Sequence, residues 1–128
     1  QNWTSLYRSF DMILSPRGDA RGCFRTSEVL QMGLIPILAF DDHLWVPYLN
    51  SSLPWNDIGF YLLSNEIEKF VDVVNKLTPE RINFMRKTVR KYRDSHFTMK
   101  GTMNQISLFM KFGYQKSDLR CDKYYTTN

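Results

Sequence analysis

Apolar residues in this chain come in short bunches, and their spacing switches repeatedly between helical and extended. Trp3, Leu6, Tyr7 and Phe10 recur every three to four positions, which predicts a short helix over Asn2 to Ser9 with one apolar face. Phe10-Asp-Met-Ile-Leu14 is instead a nearly continuous apolar run, stopped by Pro16 and Gly18, and reads as a buried parallel strand. Helical spacing returns from Gly22 to Met32, with Phe24, Val29, Leu30 and Met32 as core candidates and Gly33 placed for a left-handed cap. Leu34 to Phe40 predicts a second buried strand. Pro36 within it forfeits a ladder hydrogen bond, which favours an edge or strand-start position over a central one. Asp41 to Trp55 reads as a loop, and Ile58 to Leu63 as a third strand. Ser64 with Ile67, Glu68, Phe70, Val71 and Val74 marks an amphipathic helix reaching Leu77. Thr78-Pro79-Glu80 starts another, with Thr as N-cap, Pro at the first helical position and an acid in the first turn. That helix runs to Arg93 and is strongly basic. A last helix spans Met99 to Phe112, and the chain from Gly113 onward has no clear period.

Strands alternating with helices predict the α/β class: a right-handed, Rossmann-like parallel sheet with flanking helices. Three strands are fewer than the five or so of a doubly wound domain. The sheet is therefore expected to be partial, and the opening Gln1-Asn2-Trp3, without leader or initiator Met, reads as the middle of a longer protein. The 128 residues, 43% hydrophobic and 15% aromatic, fit one packed domain and exclude a disordered chain. The net charge of +4 suits an anionic ligand without selecting among nucleotide, nucleic acid and lipid surface. Cys23 and Cys121 are too few for a disulfide framework or a metal site; two free thiols and a Cys23–Cys121 pair both remain open. Asn2 and Asn50 satisfy the glycosylation sequon, a weak pointer to a secretory compartment. No apolar run is long enough to span a bilayer.

The chemistry concentrates between Ser15 and Leu38. A strand end runs into a glycine loop with Arg17 and Arg21, then into a helix carrying Arg25 and Glu28. Ligands of parallel sheets bind beyond the carboxyl ends of the strands, where a helix N-terminus also favours phosphate. Arg17, Arg21 and Arg25 can supply charge-assisted bonds to an anion, and Gly18 and Gly22 allow close backbone approach. Glu28, one turn after Arg25, matches a ribose diol. Solvated arginines, or pairs with Asp19 and Glu28, are the structural alternatives, and an Arg25–Glu28 surface pair is the simplest. Asp41 and Asp42 are possible cleft carboxylates, a general base or turn formers. His43 and His96 stand far apart and outside metal-ligand spacing. The basic helix 79–93 offers a polyanion surface or a solvated outer face.

The pattern Pro16-Arg-Gly, Phe24-Arg25-x-x-Glu28-x-Leu30-Gln31, then Ile35-Pro36, resembles the exostosin family of glycosyltransferases at matching spacing. The similarity continues through Asp41-Asp42, Val46-Pro47-Tyr48 and the Trp55 region, and fades after about residue 97, covering about three-quarters of the chain. Two positions depart from the family pattern: Cys23 stands where Ser is usual, and Ser27-Glu28-Val29-Leu30 replaces the common Tyr/Leu-Glu-Ala-Leu.

That resemblance implies the carboxyl-terminal, donor-binding half of a GT-B enzyme, with residues 1–113 as the half-domain and 114–128 as a poorly ordered tail. It implies Arg17 and Arg25 at the donor diphosphate, with Gly18 and Gly22 allowing close backbone approach, and Glu28 at the ribose. Arg21, in the linker between the motifs, is added to the diphosphate set from its charge and place in the loop. The reaction implied is transfer of a sugar from a nucleoside diphosphate, most often UDP, to a glycan or glycoprotein hydroxyl with inversion. The resemblance does not name the base, and the missing amino-terminal half is one place for it. Protein cations at the diphosphate imply no cofactor and no essential metal. The family is Golgi-lumenal and anchored by an amino-terminal membrane segment that this chain does not contain; nucleic acid is not an implied partner. The alternative is a non-catalytic nucleotide- or polyanion-binding module of the same fold.

Overall fold

Three parallel strands in the order β1-β2-β3 form the centre of the fold: β1 (Met12–Pro16), β2 (Ile35–Phe40) and β3 (Phe60–Leu63). The structure is a computed structural model and describes residues 3–19, 22–42, 44–48 and 53–112. A short helix α1 (Trp3–Tyr7) precedes β1, α2 (Phe24–Gln31) links β1 to β2, and α3 (Trp55–Ile58) leads into β3. A 3-10 turn (Ser64–Glu66) opens α4 (Ile67–Asn75). Helix α5 (Pro79–Tyr92), a π-helical turn (Arg93–Phe97) and α6 (Met99–Phe112) follow. The mixed α/β fold with a three-strand parallel sheet and flanking helices is the partial Rossmann-like class that the alternation of spacings predicts.

β2 is buried on both faces, as its apolar run requires. Leu38 joins Leu30 of α2, Trp55 and Ile58 of α3, Val89 of α5, Phe97 of the π-helical turn, and the loop residues Val46 and Leu53 in one core cluster. Met85 and Val89 form the inner stripe of α5, a stripe that its basic composition conceals. The Thr78 cap is present, its hydroxyl accepting the Arg81 N–H at 3.3 Å. The basic face is partly tied down: Arg81 pairs with Asp57, and Arg86 with Asp11.

The register explains both strand prolines. Ile35 N–H donates to the Asp11 carbonyl and Arg17 N–H to the Ala39 carbonyl, so odd-numbered residues of β1 bond to β2. Pro16 therefore turns its missing N–H toward the sheet edge, and β1 runs through it where the sequence predicts a stop. Pro36 lies in the central strand, not at an edge, but β2 pairs with β3 only from Ile37 onward. The strand-start alternative is the one that holds.

Gly33 ends α2 as expected. Its φ is +73°, its N–H bonds to the Leu30 carbonyl and the Leu34 N–H to the Val29 carbonyl, a Schellman closure. A Cβ there would also meet the Arg90 side chain at 3.0 Å. Gly33→Ala is expected to lower stability by about 1–2 kcal/mol, read as a lower urea midpoint at unchanged slope.

Several sequence expectations are corrected. Phe24 is 91% exposed at the first turn of α2 rather than in the core, and Thr26, which carries no apolar signal, is buried in its place. Ile58 belongs to α3, so β3 starts two residues late. α1 is shorter than expected and leaves Trp3, Leu6 and Phe10 exposed, while the amphipathic α4 buries none of its residues fully. His96 is partly buried: its ring packs against Tyr48, Tyr92 and Phe97, and burial lowers its pKa. Cys121, the residues from 113 on, and both sequon asparagines lie outside the described residues.

Candidate functional site

The loop after β1 returns directly to the start of α2, so the carboxyl ends of β1 and β2 and the N-terminus of α2 meet at one end of the sheet. Arg17 leaves β1 there with its backbone still on the ladder, its N–H bonding the Ala39 carbonyl at 2.9 Å. Its guanidinium bonds the Asp42 carboxylate, just past the end of β2, at 2.5 Å. One Asp42 contact engages a single guanidinium nitrogen, and the rest of the five-donor fork can still address an anion.

A shallow pocket opens beside this pair. It is lined by Ser15, Arg17, Cys23, Thr26, Ala39 and Trp45, with Leu38, Phe40 and Leu44 completing its walls. Cys23 is the N-cap of α2 but makes no capping hydrogen bond through its side chain. The thiol in place of the usual serine thus leaves the helix start without the cap that a hydroxyl would supply. Among the described residues Cys23 has no disulfide partner.

The loop that closes the pocket is fixed from behind. Val46 sits in the core, the Pro47 carbonyl accepts the Trp55 indole N–H at 2.9 Å, and the Tyr48 hydroxyl donates to the His96 carbonyl at 3.2 Å. Tyr48 takes φ of 58°, a conformation that few bulky residues adopt, so these anchors hold it. Trp45 lies across Gly22, where a Cβ would come within 3.2 Å of the indole. A side chain at Gly22 would need the exposed Trp45 ring to give by a few tenths of an ångström, whereas a Cβ on Gly18 would meet nothing within 4 Å. The space at Gly18 is open on its exposed side.

The remaining sequence-predicted residues are distributed along α2. Arg25 places its guanidinium 5.5 Å from the centroid of the Tyr7 ring and makes no ion pair with Glu28 or Asp19 among the described residues. Glu28 is half-buried on the same helix, and neither residue lines the pocket. Asp41 is exposed beside Asp42. Arg21 lies outside the described residues. Ser15, Thr26 and Trp45 are pocket residues that the sequence reading did not single out. Ser15 had one available signal, a hydroxyl inside a run that otherwise reads as apolar strand. Among the described residues, no group of three or more His, Cys, Asp or Glu is arranged to hold a metal ion. No helix among them is long and apolar enough to cross a membrane.

Comparison with known proteins gives two matches. The chain is 27% identical over 96 residues to exostosin-1 of Drosophila melanogaster, a stretch that is 75% of this chain and 12% of that protein. It is 21% identical over 94 residues to an exostosin-1 homolog of Caenorhabditis elegans, covering 73% of this chain and 24% of that protein. No protein-family model matches the chain. The chain is thus related to the exostosins and spans under a quarter of either relative. The matches cover about the same share of the chain, three-quarters, as the motifs that resemble that family.

Proposed function

We propose that this chain is the donor-binding part of an exostosin-like glycosyltransferase, and that it holds the diphosphate of a nucleoside-diphosphate sugar at the carboxyl ends of β1 and β2. The observation that carries this reading is the meeting of Arg17, set by Asp42, with the uncapped N-terminus of α2 in one concavity. The relationship to exostosins supports the glycosyltransferase class.

In this reading Arg17 neutralises the diphosphate from within the pocket as it departs from the sugar, joined by Arg21, and Gly18 lets backbone N–H groups approach it. Arg25 and Glu28 stand on α2 outside the pocket walls, so they meet the donor, at diphosphate and ribose respectively, only where it extends past those walls. A glycan hydroxyl attacks the anomeric carbon with inversion, its proton passing to a base that this chain does not identify. UDP is the proposed nucleotide and the Golgi lumen the proposed compartment. Protein cations perform the work at the leaving group, so no metal is assigned. The rival polyanion surface on α5 is less well supported, because the N-terminus of that helix is already capped by Thr78.

The test is an NMR titration of the chain with UDP, with UMP as control. Shifts clustered over Gly18 to Glu28 and stronger for UDP are expected. A dispersed spectrum that responds to neither nucleotide would sink the donor-site reading. Glu28→Ala is expected to weaken UDP binding by about tenfold, the loss of one bidentate charge-assisted contact, while leaving the spectrum dispersed. Unchanged affinity in that variant would remove Glu28 from the ribose.

A further inference from the structure

The Ser15 hydroxyl is a buried polar group without an internal explanation. Ser15 is 2% exposed, and its Oγ makes no hydrogen bond with any described residue. Buried hydroxyls are almost always bonded, because one left alone has lost water and gained nothing. Ser15 also lines the pocket between the ends of β1 and β2 and the start of α2. The neighbouring walls, Leu38, Ala39 and Leu44, offer the oxygen no side-chain partner.

Two other donors converge on the same concavity. Arg17, two residues further along, presents a guanidinium with free N–H positions beyond its Asp42 contact. α2 starts there with no side-chain cap, so its N-terminal N–H groups and dipole face the opening. A hydroxyl, a cation and a helix start in one concavity are complementary to an acceptor oxygen that carries negative charge. We propose that Ser15 donates its hydroxyl proton in a hydrogen bond to a phosphoryl oxygen seated at the floor of this pocket. The identification of that oxygen with a nucleotide diphosphate rests on the donor-site reading above. Ser15 is a binding and positioning residue, and no proton or electron is transferred by it.

The proposal has a signature of opposite signs. Ser15→Ala deletes an unsatisfied buried oxygen, so the free protein gains stability, with an expected rise in Tm of about 2–4 °C. The same variant loses a charge-assisted contact, so affinity falls roughly tenfold. A serine that merely held a buried structural water would behave differently: its alanine variant would lose Tm and keep its affinity. Ser15→Cys, nearly isosteric but a weak donor, is expected to show most of the affinity loss with little change in Tm.

The experiment is calorimetric titration of the full chain and both variants with inorganic pyrophosphate and with UDP, alongside thermal melts. A higher Tm in Ser15→Ala together with weaker binding of both ligands supports the proposal. Equal pyrophosphate affinity in wild type and a folded Ser15→Ala overturns it, as does failure of the wild type to bind pyrophosphate at millimolar concentration. If pyrophosphate binds in a Ser15-dependent way while UDP adds nothing, the phosphoryl contact stands and the nucleotide reading falls. If UDP binds wild type and Ser15→Ala equally, the nucleotide reading stands and the Ser15 contact falls.

Discussion

Arg17→Ala is expected to weaken UDP binding by about a hundredfold while leaving the fold essentially as stable as before. The size follows from two losses. Removing the guanidinium deletes charge-assisted bonds to phosphate worth about 1.5–3 kcal/mol. It also leaves the Asp42 carboxylate close to the site without the cation that now bonds it, which adds repulsion toward an incoming dianion. Together these give roughly 2.8 kcal/mol, which is two powers of ten. The fold is spared because the Arg17–Asp42 pair is partly solvent-exposed, and exposed pairs contribute about 0–1 kcal/mol. Arg17→Lys separates charge from geometry. It keeps the cation but not the planar fork, and should recover about half of the lost binding energy. Calorimetric titration with UDP at fixed ionic strength checks both variants. An Arg17→Ala variant that binds UDP as tightly as wild type would mean that the anion site lies elsewhere, and the reading of the β1 end would have to be given up.

The outline of the fold was legible because the chain switches between two spacings. Continuous apolar runs marked β1, β2 and β3, three-to-four spacing marked α2 and α4, and the Thr78-Pro79-Glu80 start signal marked α5, each within a few residues of its observed span. Caps were the most legible features. Thr78 and Gly33 act through local backbone chemistry that no distant contact changes. What sequence could not tell was which apolar residues would find a partner. Phe24 sits at helical spacing yet is exposed in the first turn of α2, while Thr26 two residues on is buried in the pocket wall. The same failure applies to Trp3 and Leu6: periodicity defines a face, but burial needs something to cover it.

The candidate site divides along the same line. Arg17 was legible because it follows directly from a strand end, and its partner Asp42 because it follows the next one; parallel register brings those two ends together. Trp45 and Ser15 were not. Trp45 reaches Gly22 across 23 residues by way of a loop whose path depends on Val46, Pro47 and Tyr48 being anchored in the core. Ser15 reads simply as a polar residue near the end of a strand until its burial and lack of a partner are seen. Cys23 was visible as a departure, but only the structure shows that the thiol leaves the helix start uncapped.

Gly59→Ala is expected to cost about 3 kcal/mol of stability, although Gly59 has an extended backbone (φ −161°) that any residue can adopt. The cost is steric, not conformational. A Cβ at this position would lie 2.7 Å from the Pro36 carbonyl oxygen and 2.8 Å from Cγ of the Pro36 ring. Neither neighbour can yield cheaply: one belongs to the backbone of the central strand and the other to a closed ring. Pro36 precedes the first β2–β3 rung, Ile37 opposite Phe60, so the chain entering β3 must pass directly over the proline, and only glycine clears it. The strain of an added methyl would fall on the junction of β2, α3 and β3. That junction also carries Trp55, whose indole anchors Pro47 in the loop that closes the pocket. Gly59→Ala should therefore lower the urea midpoint and, in whatever fraction stays folded, weaken UDP binding at a site it does not touch. A double-mutant cycle with Pro36→Ala isolates the cause. Removing the ring relieves the Cγ contact but not the carbonyl contact, so the two substitutions together should be less damaging than their sum by about 1 kcal/mol. Strict additivity would mean that the ring is not what Gly59 accommodates, and that the carbonyl contact alone requires a glycine there.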